Sequence, residues 1–240
     1  MILLLVISIV FLAFLIRATL GFGDALLAMP VLILIVGIKI AAPLMALLAL
    51  VIAFVVFYKN IQAVNFKTSI RLIVSSIAGI PVGLYYLQHL NEQIVNLILG
   101  IIILVFSGYK LSGLLFQIKT PGYITYLVGF FSGIIGAAYN TNGPPVIMLL
   151  SAKKYSPETF RSTLQCYFFF SGIGVVAGHF ISGNIDKPVL TYFVFSLPAL
   201  LLAFFMGEMM FKKINSTFFY RLVYSILLIL SLSLIIKAML

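Results

Sequence analysis

The chain has 240 residues, 63% of them hydrophobic and only 8% charged, with a mean hydropathy of +1.25. No soluble core absorbs so many apolar side chains behind a polar surface, so the composition excludes a soluble domain and implies an integral membrane protein. The net charge of +10 would suggest a nucleic-acid partner in a soluble protein, but here the cations fall singly or in pairs at the ends of apolar runs, where they act as topology signals.

Polar and helix-breaking clusters divide the sequence into ten apolar segments, at roughly 2–20, 24–38, 41–58, 67–88, 93–112, 123–136, 143–152, 162–181, 188–208 and 217–237. The first has no basic stretch ahead of it and no small-residue cleavage site after it, so it is read as a membrane segment rather than a cleaved signal. It leads into the turn "GFGD" at 21–24. Segments six and seven flank "YNTNGPP" and are short: ten residues at about 1.5 Å each reach about half of a roughly 30 Å hydrocarbon core. They are expected to form a re-entrant hairpin. Lys59, Lys67, Arg71, Lys110, Lys119, Lys153, Lys154, Arg161, Lys212, Lys213 and Arg221 fall on one side of an alternating chain, against Lys39, Lys187 and Lys237 on the other. That asymmetry predicts a multi-pass protein of the cell membrane, with the cation-rich loops in the cytoplasm and both termini outside. Cys166 stands alone, which excludes an internal disulfide and a cysteine metal cluster.

Sliding the sequence on itself by 115 residues lays "LGFGDALLAMPVLIL" over "IGAAYNTNGPPVIML", so that Gly21 meets Gly136, Pro30 meets Pro145 and Val31 meets Val146. At a shift of 117, Pro81 meets Pro198. The chain therefore reads as one transmembrane domain built by duplication, with repeat 1 at about 1–115 and repeat 2 at about 120–240. Five segments per half is an odd number, so the halves enter from opposite sides. The expected fold is an all-α polytopic membrane protein of two inverted-topology repeats with broken or re-entrant hairpins, the plan of secondary transporters. Gly21 and Gly136 are then expected in facing hairpin turns.

The polar turn has a chemical purpose in this plan. Pro144 and Pro145 suit the first turn of a helix, and Gly143 allows a sharp bend before it. The helix end attracts an anion, and Asn140, Thr141 and Asn142 add side-chain donors. Arg17 and Asp24 flank the first turn, around Gly21 and Gly23, and an ionisable residue at mid-membrane costs about 2.5 to 3.5 kcal/mol, which makes each a functional candidate. Either they neutralise each other, or one serves an anion or, in the case of Asp24, proton coupling. Arg161 and Gln165 lie one helical turn apart and share a face near the cytoplasmic entrance, where Arg161 serves equally well as a topology anchor. Cys166, Tyr167 and the run Phe168 to Phe170 are read as packing or lipid contact, and His89 and His179 as interfacial.

At these turns the chain resembles the TauE/SafE family of sulfite and organosulfonate exporters, also called the toluene sulfonate uptake permease family. The resemblance is carried by "GFGDALLAMPVL", by "GFFSGIIGAAYNTNGPPVIMLL" at 129–150 and by "ETFRSTL" at 158–164, and it extends over nearly the whole chain. It departs from the family pattern at Asp24 and Ala25 and at Ala137 and Ala138. The resemblance implies sulfite, sulfonates or related organosulfur anions as substrates, and export is the energetically natural direction for an anion leaving a negative cytoplasm. The expected partners are the small anion and the lipid bilayer, and a homo-oligomer is compatible with this reading. No cofactor or metal is expected, since no metal-binding motif is present. Two rival readings are a non-transport assembly factor or scaffold and an intramembrane protease of the GxGD type. "GFGD" fits the protease motif, but the second carboxylate that such a dyad needs is missing.

Overall fold

The computed structural model describes all residues except 1, 60, 90, 114–120, 154, 212–215 and 240. Among the described residues the chain is helical and has no strand. The helices are α1 (Ile2–Leu20), α2 (Asp24–Val36), α3 (Ile38–Lys59), α4 (Phe66–His89), α5 (Glu92–Leu111), α6 (Gly122–Tyr139), α7 (Gly143–Ala152), α8 (Pro157–Ile181), α9 (Lys187–Phe211) and α10 (Ser216–Met239). Five of them, α3, α4, α6, α8 and α9, are long and apolar enough to cross a bilayer. The protein is an all-α, multi-pass membrane protein.

The boundaries follow local chemistry. Asn91 starts α5 by accepting a hydrogen bond from the Gln93 N–H at 3.1 Å. Ser156 likewise accepts from the Thr159 N–H at 3.2 Å, and Pro157 fits the first helical position, so α8 begins five residues before the apolar run. Pro30, Pro43, Pro81 and Pro198 lie inside helices, which membrane proteins tolerate where neighbouring groups satisfy the freed carbonyls. One expectation needs correction. Segment six is not a short arm: α6 has 18 residues, about 27 Å at the helical rise, while α7 has the ten residues expected, about 15 Å. The hairpin is therefore a full-length helix followed by a half-length one.

The chain forms two compact units, and each draws on both halves of the sequence. Unit 1 comprises Met1–Ala41, His89–Leu114 and Val194–Leu240. In it α5 lies along α10, where Gly100 comes close to the backbone of Ser231, and Phe106 packs edge-on against Phe22 and Tyr224. Gly207 of α9 sits against Ala18 of α1. Unit 2 comprises Ala42–Gln88 and Leu115–Phe193. Its centre is a crossing of α4 and α6 with almost no side chain between them. A Cβ at Gly129 would lie 2.5 Å from the Leu72 carbonyl oxygen, and one at Gly133 would lie 2.8 Å from the Ser76 carbonyl carbon and closer still to its oxygen. Gly79 and Gly83 meet the Phe130 and Ile134 carbonyls in the same way. Small residues let two backbones touch, which is how helices gain packing energy in a lipid solvent as apolar as themselves. Ala46, Ile80, Leu84, Ala137 and Val175 close the core around this crossing.

Candidate functional site

Two turns that join a longer helix to a shorter one carry most of the candidate residues, one in each unit. In unit 1, α1 is closed by the Gly21 N–H, which donates to the Arg17 carbonyl at 2.7 Å with φ at 82°. Gly23, φ 103°, then leads into α2. Two left-handed residues within three positions require glycine, which explains the spacing of "GFG". Asp24 is the first residue of α2, and its carboxylate accepts from the Arg17 guanidinium at 2.6 Å. Both residues are buried. Of the two roles foreseen for this pair, the geometry displays the mutual one. Asp24 faces a guanidinium here and not a second carboxylate.

In unit 2, α6 is closed in the same way by the Asn140 N–H, which donates to the Gly136 carbonyl at 2.9 Å. Asn140 has a φ of 51°, and among the described residues it is the sole non-glycine with positive φ. Asparagine is the side chain that best tolerates this region. The Thr141 hydroxyl donates to the Tyr139 carbonyl at 2.9 Å and so helps finish α6 rather than offering its proton to a ligand. Asn142 precedes α7 without capping it through its side chain, and Gly143 is buried at the first helical position. Pro144 and Pro145 carry no N–H, so the backbone donors left at this helix start are those of Asn142 and Gly143. Asn140 and Asn142 are half-buried while their neighbours in the turn are buried.

Asn140 closes α6 as Gly21 closes α1, and Gly136 lies one turn inside α6, its α-carbon facing Asn142. α2 and α7 begin at Asp24 and Gly143, and α3 and α8 begin at Ile38 and Pro157, 119 residues apart in both cases. The shift of 115 matched residue identity, whereas the backbone matches at 119.

Arg161 and Gln165 occupy successive turns of α8, with Arg161 half-buried and Gln165 buried. Nearby, Thr163 Oγ1 accepts from the Asn65 N–H at 3.0 Å and Tyr155 meets Thr68 at 2.7 Å, which ties the start of α4 to the start of α8. Lys153 follows α7, and its ammonium is held below the ordinary lysine range by burial and then by the charge of Arg71. Residues 6–234 match the family described as "Sulfite exporter TauE/SafE". The chain belongs to the TauE/SafE family. No curated protein and no solved structure matches it.

Sequence reasoning missed part of what surrounds the second turn of this TauE/SafE protein. Tyr167 was read as packing, yet its fully buried hydroxyl lies 3.2 Å from Ser76 Oγ. Ser171, one turn later, donates to the Tyr167 carbonyl at 2.7 Å and stands 3.5 Å from Asn142 Nδ2. The helical spacing of Tyr167 and Ser171 could have flagged them as one face. Phe169 and Phe170 do pack, against Phe57 and, for Phe169, also Phe54. His179 is fully buried near the end of α8, with Nδ1 3.2 Å from Asn184 Nδ2. Among the described residues no cluster of His, Cys, Asp and Glu could hold a metal ion.

Proposed function

We propose that this TauE/SafE family member is a secondary transporter that exports small sulfur oxyanions, sulfite or sulfonates, and that it binds them at the α6–α7 turn. The observation that carries the site is the conformation of "NTNGPP": the helix end and two half-buried carboxamides converge where α6 gives way to α7. The ten residues of α7 rise about 15 Å, so with Lys153 at the cytoplasmic surface the turn sits near mid-membrane. A carboxamide offers neutral N–H donors that can hold an anion without a fixed counter-charge to release. Arg71 and Lys153, close enough that one depresses the other's proton affinity, make the proposed cytoplasmic end electropositive and raise the local anion concentration there. Each net negative charge leaving gains about 2.3 kcal/mol per 100 mV, so export needs no coupled ion.

The test is flux of sulfite and methanesulfonate from proteoliposomes under an imposed potential. Asn142→Ala and Asn140→Gly are each expected to weaken apparent affinity by about ten- to a hundredfold, the loss of a charge-assisted hydrogen bond. Parental flux and affinity in both variants would show that the turn is only a turn.

A further inference from the structure

Ser132 of α6 is fully buried, and its hydroxyl makes no well-formed hydrogen bond, only a weaker contact with the Tyr167 phenol. Buried polar groups are nearly always well paired, so one left with only a weak contact beside a candidate binding turn has a bond to give to a ligand. Ser132, Ser171 and Asn142 all lie within hydrogen-bonding reach of the Tyr167 phenol. Gly136, one turn after Ser132 on the same face of α6, has its α-carbon against Asn142, whose Cβ would be 3.0 Å from a side chain there. The α4–α6 crossing brings Ser76 in behind, 3.2 Å from the phenol oxygen. When Ser76 donates to that oxygen, the phenolic proton is free to point elsewhere. Asn142 uses one amide proton at most on Ser171, across a long 3.5 Å contact.

We propose that Ser132, Tyr167 and Asn142 form a neutral three-donor cradle for one oxyanion group of the substrate, and that the cradle selects monoanions over dianions. The proposal rests on the transport function argued above and assigns its substrate contacts. Each of the three groups supplies a proton and none supplies a charge. Ser76 and Ser171 are positioning residues that orient the phenol and the carboxamide. Asn142 is the half-buried member, so the cradle opens on the turn. Charge selection follows from desolvation: the cost of taking an ion out of water rises with the square of its charge, and a second charge in this site meets no cation to offset it. A sulfonate or hydrogensulfite fits that condition, and sulfate does not.

The experiment measures methanesulfonate flux against concentration in proteoliposomes, with sulfate as competitor, and thermal unfolding of each detergent-purified variant. Ser132→Ala and Tyr167→Phe are each expected to raise the half-saturating methanesulfonate concentration about tenfold, with maximal flux retained. Ser132→Ala should also melt at or above the parental temperature without ligand, since it removes a poorly paired hydroxyl. A merely structural serine would move stability the other way and leave half-saturation alone. In the parent, excess sulfate should not compete. Parental flux with unchanged half-saturation in both variants overturns the cradle, and effective competition by sulfate overturns its charge selection. No flux of any sulfur oxyanion in the parent overturns the transport reading itself.

Discussion

The α4–α6 crossing predicts a sharp difference between two glycine-to-alanine substitutions. At Gly133 the added methyl would sit 2.8 Å from both the Cα and the carbonyl carbon of Ser76. Carbon atoms pack at about 3.5 Å or more, so the carbon contacts alone require the helices to part by roughly 0.7 Å, and the still closer Ser76 carbonyl oxygen requires more. Overpacking of this kind costs about 1–3 kcal/mol, and a rigid neighbour puts it near the upper end. Alanine returns up to about 1 kcal/mol of helix propensity, which leaves a net loss of about 2 kcal/mol. For a chain of this size that corresponds to a fall of about 4–8 °C in the unfolding midpoint. Gly108 of α5 is the control, because a Cβ there meets nothing within 4 Å. Gly108→Ala should therefore be neutral or raise the midpoint by about 1–4 °C. Midpoints measured by tryptophan-free thermal methods, such as a thiol-independent aggregation or calorimetric scan in detergent, decide it. If Gly133→Ala unfolds at or above the parental temperature, the backbone contact argued here does not exist.

Three further outcomes follow from other sites. Asp24→Asn strips the buried Arg17 of its carboxylate and should cost about 3–5 kcal/mol, while the double change Arg17→Met with Asp24→Leu should recover most of it; equal unfolding midpoints for Asp24→Asn and the parent would show that the pair is dispensable. Asn140→Ala places a Cβ residue without local hydrogen-bonding ability at a φ of 51° and should lose about 1–2 kcal/mol relative to Asn140→Gly, a difference readable as unfolding midpoints in detergent. In a Cys166→Ser background, an impermeant thiol reagent applied to intact cells should label a cysteine at Ser182 and spare one at Ser156, since the cation asymmetry puts the α8–α9 loop outside; the opposite pattern would invert the topology.

Nearly every helix was legible in the sequence because in a membrane the interruptions are the signal. Apolar runs must be helical to satisfy their own backbone, so Gly, Pro and polar clusters mark the ends. The two boundaries that moved most did so for local reasons. α8 starts early because Ser156 and Pro157 make a capped helix start ahead of the apolar stretch, and α6 runs on to Tyr139 because Asn140 takes the left-handed position that closes it. Residue identity pairs Gly21 with Gly136, while the residue that closes α6 as Gly21 closes α1 is Asn140. The polar turn was legible as residues, but the division of labour among them was not. Nothing in "NTN" says that Thr141 turns its hydroxyl back to Tyr139 while Asn140 and Asn142 stay half-buried. Tyr167, Ser76 and Ser132 come from three helices, and no spacing in one segment reveals that they meet.

The two prolines of "GPP" explain why the side chains matter so much at this turn. A helix start ordinarily offers four free N–H groups, and an anion held there can rely on the backbone alone. Pro144 and Pro145 delete two of the four. What remains in backbone donors is Asn142 and Gly143, so side chains must complete the coordination of any oxyanion. The carboxamides of Asn140 and Asn142 are placed to do so, and each is a neutral group. In unit 1 the equivalent helix begins "DAL", keeps its N–H groups and places the carboxylate of Asp24 at the helix start instead, already joined to Arg17. A carboxylate at that position repels an anion and interacts favourably with the positive end of the helix. The two turns are thus chemically unequal: the first carries its own ion pair, and the second carries neutral donors. That inequality assigns the anion to the α6–α7 turn in our proposal and gives the Arg17–Asp24 pair a structural role.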